Sequence, residues 1–263
     1  MRLGDEEVKY RLGLRVDKEH LRSARTKPQI NIQEIVADAT RSAERLGTPS
    51  PHVDWREQNK VTPVKDQLHC GSCGSFGTTG ALESAVLIEQ NNETDLSEAE
   101  LFYCGGAGDA SCGTGWYPPR AFSYLRNKGL SEESCFPYQD HDIPCNTCSN
   151  RDKQAIKIRK DVQLMDINDR KQYLSKVGPL IACMDVYEDF FAYATGVYSH
   201  VTGVLQGGHC VLAVGYDDKD GAWICKNSWA TGWGDQGFFK MAYGDSDCKM
   251  DTEYPMWGIY GTI

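Results

Sequence analysis

No apolar run in this 263-residue chain approaches the roughly 18 residues that a membrane-spanning helix requires. The sequence therefore predicts no membrane partner. There is no internal repeat and no low-complexity tract, which excludes a solenoid. Positive charge is in short supply: 28 Lys and Arg stand against 37 Asp and Glu, a net of -9. Residues 1–50 hold 10 basic against 8 acidic residues, and the remainder 18 against 29. An acidic body argues against nucleic acid as a partner. An apolar signal core is missing too, because Met1 is followed by charged residues. Either a leader has been removed or the compartment is unusual. What the chain does have is eleven cysteines, a count that suggests oxidising surroundings. Asn92-Glu93-Thr94 is a glycosylation sequon, of meaning only in a eukaryotic secretory route.

The rest of the chain is organised around Gln67-Leu68-His69-Cys70-Gly71-Ser72-Cys73-Gly74-Ser75-Phe76. A glycine-rich turn ends in a cysteine, and a proline-free apolar run follows through Ala81, Leu82, Ala85, Val86, Leu87 and Ile88. That run is apolar almost all round and predicts a buried helix. Cys73 then sits at the N-terminus, where orphan N–H groups and the helix dipole favour a thiolate. Taken alone, Cys73 is equally a structural half-cystine. Gly207-Gly208-His209-Cys210-Val211 to Tyr216 reads as a buried strand opening on a histidine, and Asn227-Ser228-Trp229 follows a turn and a further strand. A cysteine, a histidine 136 residues later and an asparagine 18 beyond it have the order of a thiol protease.

On these residues, and on Val53-Asp54-Trp55-Arg56, Val61 to Gln67 and Asn227 to Gly234, the chain resembles the papain and cathepsin family from about Val53 to its end. The resemblance implies an α+β, two-lobed fold: a mainly helical lobe over 51–160, an antiparallel β-barrel lobe over 161–263, and a cleft between them. It implies Cys73 as nucleophile, His209 as its base, Asn227 as the group that fixes the imidazole, and Gln67 as an oxyanion donor, typically worth about 3 kcal/mol. It implies Trp229 as a shelter for the His–Asn bond, Gly115 as a substrate-backbone contact, and Trp116 and Tyr117 as pocket walls. Cys183 and Cys210 match two pocket-lining positions and are expected there as small buried hydrophobes, with facing thiols or a disulfide between them as the alternatives. Glu253 falls at the pocket's far end on a gap-free count from Cys248, which would favour a basic side chain two residues before the cut. Pairings Cys70–Cys112, Cys104–Cys145 and Cys135–Cys148 are implied, the last two on a cathepsin C pattern. No metal and no cofactor are implied. The expected partners are peptide or protein substrates, in a lysosomal, vacuolar or secreted setting. The main departure is Gly74, where the family has tryptophan; a neighbour must fill that space or a cavity opens.

Residues 1–50 read as a separate unit. Val8, Tyr10, Leu12, Leu14 and Val16 alternate as in a strand. Residues 17–29 are charged and predict a loop. Ile32, Ile35, Val36, Ala39, Ala43 and Leu46 form one helical stripe, with Asn31 and Glu34 as a capping box and Gly47 and Pro49 as the stop. The resemblance implies an inhibitory prosegment whose tail runs through the cleft and which is cut between Thr48 and His52. An endopeptidase made as a zymogen is the expectation. An exopeptidase follows instead if the unit stays and blocks one end of the cleft. An inactive binding protein is the reading if Gly74 marks lost catalysis. A Cys70–Cys73 redox pair and a zinc site of Cys70, Cys73, Cys145 and Cys148 are the remaining alternatives.

Overall fold

The computed structural model describes residues 11–26, 30–42 and 44–263. Val8, Tyr10, Pro28 and Ala43 of the patterns above lie outside them. At the centre is α3 (Cys73–Gln90), with 15 of its 18 residues buried. Gly77 and Gly80 let it approach a strand closely, because a Cβ on Gly77 would stand 3.1 Å from the Val211 carbonyl oxygen. A chain reversal follows, ending in a π-helical turn over Glu100–Gly105. The Ser97 hydroxyl accepts the Glu100 N–H there at 2.9 Å. Pro118–Arg120 and α4 (Ala121–Asn127) come next. The short α5 (Arg151–Gln154) completes this half.

The second half is an eight-stranded sheet. Its strands are β1 (His52–Asp54), β2 (Ile158–Leu164), β3 (Leu180–Tyr187), β4 (Val197–Tyr198), β5 (Leu205–Asp217), β6 (Ala222–Lys226), β7 (Phe238–Ala242) and β8 (Met256–Thr262). They run in the order β2-β8-β3-β5-β6-β7-β4, with β1 paired to β5. The expected closed barrel is corrected by this path: the sheet is open, and β4 pairs with β7 in parallel. Helix α6 (Ile167–Lys176) covers one face, capped by Asp166, which accepts the N–H groups of Asn168 and Asp169. One apolar cluster joins α3 to the aromatic residues of the first half, and a second lies within the sheet. Strand β2 and helix α6 carry too few patterned apolar residues to be read from sequence, whereas β8 is a buried run that the sequence reading missed.

The N-terminal unit departs from its sequence reading three times. Over its described residues the alternating stretch is not a strand: Leu14 alone makes an isolated bridge to Trp116. The charged stretch after Val16 is not a loop but α1 (Lys18–Thr26). Asp17 caps it by accepting the His20 N–H at 2.9 Å, and Leu21 and Ala24 turn inward one helical turn apart. The second helix, α2 (Ile32–Thr40), stops early at a left-handed Arg41 with φ 54°. The reason is Gln33: its amide donates to the Glu44 carbonyl and accepts from the Leu46 N–H. The chain is thereby folded back, and Leu46 reaches the sheet-side core without a further helical turn.

Candidate active site

Cys73 is the first residue of α3 and is wholly buried. The backbone N–H of Cys210 points at its sulfur from 3.4 Å. Burial pushes the thiol up to about 11, against the N–H groups of Cys210, Gly13 and Gly74. Adjacent in β5 is His209, also wholly buried. Its Nε2 meets Asn227 Oδ1 at 2.8 Å, and Ser228 N–H donates to the same oxygen. Burial drives the imidazole down to about 4; the Asn227 bond opposes this, and the charge of Arg11 adds to it. Its Nδ1 has no hydrogen-bond partner among the described residues. The Trp229 ring lies 4.8 Å from the imidazole and stacks on Phe191 at 5.2 Å, so the His–Asn bond is shielded from water. In this state the cysteine and histidine are both neutral near pH 7.

The cause is a cover that sequence reasoning placed elsewhere. Arg11 to Leu14, upstream of the prosegment helices rather than in its tail, cross the site. The Gln67 amide donates to the Arg11 carbonyl at 3.2 Å and to Cys70 at 2.8 Å, while the Ser228 hydroxyl donates to its oxygen at 2.7 Å. Trp116 N–H donates to Gly13 at 2.8 Å, and Leu14 N–H donates to Gly208 at 3.0 Å. Gly13 fits a slot of glycine backbone: a Cβ there would stand 1.7 Å from the Gly71 oxygen, and one on Gly115 1.8 Å from the Gly13 oxygen. A lone glycine between Leu12 and Leu14 carries no signal for such a slot unless its two partners, Gly71 and Gly115, are known to be opposite.

Trp116 and Tyr117 are buried beside this crossing, with Tyr117 edge-on to Trp257 at 5.6 Å. Cys70 is bonded to Cys112, Cys104 to Cys145 and Cys135 to Cys148. Cys73 therefore has no disulfide partner in the Cys70 thiol, and Cys70, Cys145 and Cys148 are not thiolates for zinc. Among the described residues no group of three or more His, Cys, Asp and Glu is arranged to hold a metal. Two expectations are corrected. Cys183 and Cys210 are not separate thiols: they face each other across β3 and β5 and form a disulfide. Glu253 does not close the pocket. It is exposed and pairs with Arg25 of α1 at 3.4 Å. At Gly74, a Cβ would meet Pro118 Cγ and the Trp116 oxygen at 3.5 Å. Pro118 thus occupies the flank where a large side chain was missing.

A cysteine at a helix N-terminus, a histidine oriented by an asparagine and a side-chain amide aimed at the same spot define a thiol-dependent hydrolase. The chain belongs to the papain family cysteine proteases, whose sequence profile matches residues 49–256. It is 40% identical over 233 residues to pro-cathepsin H of Mus musculus, covering 83% of this chain and 69% of that one. It is 38% identical over 211 residues to the thiol protease aleurain of Arabidopsis thaliana, covering 77% and 59%. Some of the curated relatives it matches are thus spanned for less than two thirds of their length. Among solved structures, a procathepsin B from Trypanosoma congolense superposes with a TM-score of 0.82 at 23% identity, over 98% of this chain and 89% of that one. A digestive procathepsin L 3 of Tenebrio molitor gives 0.71 at 29% identity, over 88% and 80%.

Proposed function

We propose that this chain is the precursor of a papain-type endopeptidase, held inactive by residues 11–26. In the released enzyme, Cys73 and His209 form a thiolate–imidazolium pair, because removing the cover relieves the burial that keeps both neutral. The thiolate sulfur attacks the scissile carbonyl carbon. The oxyanion that forms accepts from the Gln67 amide and the Cys73 N–H. Collapse breaks the C–N bond, and His209 passes its proton to the departing amine. A water then attacks the thioester carbonyl, giving a proton to His209; the C–S bond breaks, the carboxylic-acid product leaves, and the thiolate–imidazolium pair is restored. Asn227 holds the ring throughout. The observation that carries this reading is the seating of Gly13 on Cys73 while Arg11 occupies the oxyanion donor. The segment presents an N–H, not a carbonyl carbon, to the sulfur, so it blocks without being cut. Four disulfides suit maturation in an oxidising compartment and work in a lysosomal, vacuolar or extracellular one.

The cut is placed between Thr48 and His52, where most of the chain is exposed. His52 pairs with Asp217, eight residues along β5 from His209, or about 26 Å away. A precursor so built is cut by a second molecule. The test is labelling by an epoxide inhibitor, read by peptide mass spectrometry, before and after acid incubation. The reading expects Cys73 to be labelled after acid, with loss of about the first 50 residues and hydrolysis within a protein substrate. Labelling of the full chain at neutral pH would refute occlusion. Release of terminal residues alone would refute the endopeptidase.

A further inference from the structure

Resting on the peptidase reading, we infer that Tyr138 is a positioning residue for the oxyanion site, its hydroxyl fixing the spacing between the Gln67 amide and the N–H of Cys73. That hydroxyl donates to the Gln67 carbonyl at 2.9 Å and meets the Ser72 hydroxyl at 2.7 Å. A phenol has one proton to give, so Ser72 is the donor in the second bond. Gln67 carries one oxyanion donor on its side chain. Ser72 directly precedes Cys73, the first residue of α3, whose N–H has no partner within the helix. One oxygen atom thus ties together the two backbone stretches that supply the two donors.

The clamp is held from both sides. Gln67 N–H donates to the Ser228 carbonyl at 2.9 Å, and the Ser228 hydroxyl holds the Gln67 amide oxygen at 2.7 Å. Leu68, next in the chain, takes a left-handed φ of 49°, a conformation that a leucine keeps only where its surroundings impose it. Tyr138 is itself pinned. Glu133 accepts its backbone N–H at 2.6 Å, Ser97 donates to the Phe136 carbonyl at 2.6 Å, and the Cys135–Cys148 disulfide closes the segment. The Tyr138 ring stands edge-on to Phe76 of α3 at 4.9 Å. Burial pushes the phenol far above its ordinary range, against the Ser72 bond, so it stays a neutral donor at any working pH. Its hydrogen bonds go to Gln67 and Ser72, not to Cys73 or His209, so the thiolate–imidazolium pair does not depend on it.

The test uses the acid-treated full chain and Tyr138→Phe, which removes the oxygen and keeps the ring against Phe76. Two reactions of Cys73 are compared. Hydrolysis of a fluorogenic peptide amide passes through an oxyanion. Alkylation by iodoacetamide does not, because the sulfur displaces iodide from a CH2 carbon. Tyr138→Phe is expected to lower kcat at least tenfold with KM within twofold, while the alkylation rate and its pH dependence stay as in the wild type. A merely structural role would move both reactions together. Ser72→Ala removes the other arm. It is expected to lower kcat severalfold alone and little further in the Tyr138→Phe background, since both act through one network. Should Tyr138→Phe not fold, Ser72→Ala serves alone, read by the same two reactions. An unchanged kcat in the folded variant, or equal losses in hydrolysis and alkylation, would overturn this inference while leaving the peptidase standing. A Cys73 that no condition labels would overturn both.

Discussion

The two helices of the N-terminal unit are held by different physics. Around α1, beside the apolar contacts of Leu14, Leu21 and Ala24, there are backbone hydrogen bonds in a glycine slot and ion pairs at the surface: Arg15 and Arg120 on Asp109, Arg120 on Asp17, and Arg25 on Glu253. Around α2 the anchor is apolar, with Val36 only 4% exposed in the sheet-side core. Exposed ion pairs are worth little and respond to salt and acid. Buried apolar area responds to neither. The piece that blocks the site is thus the piece that acid can loosen, while α2 keeps it tethered. Opening and removal become separable steps.

The largest expected effect breaks the first half of that comparison at one atom. Gly13→Ala places a methyl group 1.7 Å from the Gly71 oxygen, against backbone that cannot swing aside. The crossing segment must leave the slot. Epoxide labelling of the full-length chain at neutral pH should accelerate at least a hundredfold. An unchanged rate would mean that the cover is held from elsewhere.

Next comes the apolar half. Val36→Asp puts a carboxylate into the sheet-side apolar cluster, a change in the class that costs several kcal/mol when unrelieved. Thermal unfolding of the precursor should drop by several degrees. Labelling of Cys73 at neutral pH should rise far less than in Gly13→Ala, since the slot is untouched. If Val36→Asp exposes the cysteine as fully as Gly13→Ala, the two halves act as one.

Acid tests the division more gently. Asp17 is held below the usual carboxylate range chiefly by the His20 N–H and also by Arg120. For Asp109, burial works in the opposite direction and is outweighed by Arg120, Arg15 and Trp116. Depressed carboxylates contribute to the closed state above their ordinary value near 4 and lose that contribution as pH falls through the depressed one. Labelling should therefore quicken below about pH 4. Asp109→Asn should bring part of that gain to neutral pH, severalfold rather than a hundredfold, and 0.5 M salt should imitate it. A pH profile identical in Asp109→Asn would remove this cluster from the latch.

Much of the candidate site's arrangement was legible because it is local. Cys73 follows a glycine turn and opens an apolar run, and His209 and Asn227 bracket one strand–turn–strand unit. The periodicity of β3, β5 and β6 could be read for the same reason, since their buried faces are nearly continuous runs. What sequence could not supply was contact between distant elements. Gly13 means nothing until Gly71 and Gly115 are opposite it. Whether Cys183 and Cys210 pair stayed open because pairing depends on register, which a sequence does not print. Helix α1 was hidden by its charge: two apolar residues suffice for a helix lying on a groove.

The smallest expected effect concerns the floor of the cleft rather than its cover. A glycine within a helix costs about 1 kcal/mol against alanine. At Gly74 the added methyl would make ordinary contacts, 3.5 Å to Pro118 and to the Trp116 oxygen. Gly74→Ala should therefore raise the stability of both precursor and mature enzyme by up to about 1 kcal/mol, read as a small rise in melting temperature, and leave the response to acid unchanged. Gly74→Trp should do the reverse, because Pro118 already stands where the indole would go. A stable, active Gly74→Trp protein would show that this flank yields, and that the glycine is a historical accident rather than one half of a matched pair with Pro118.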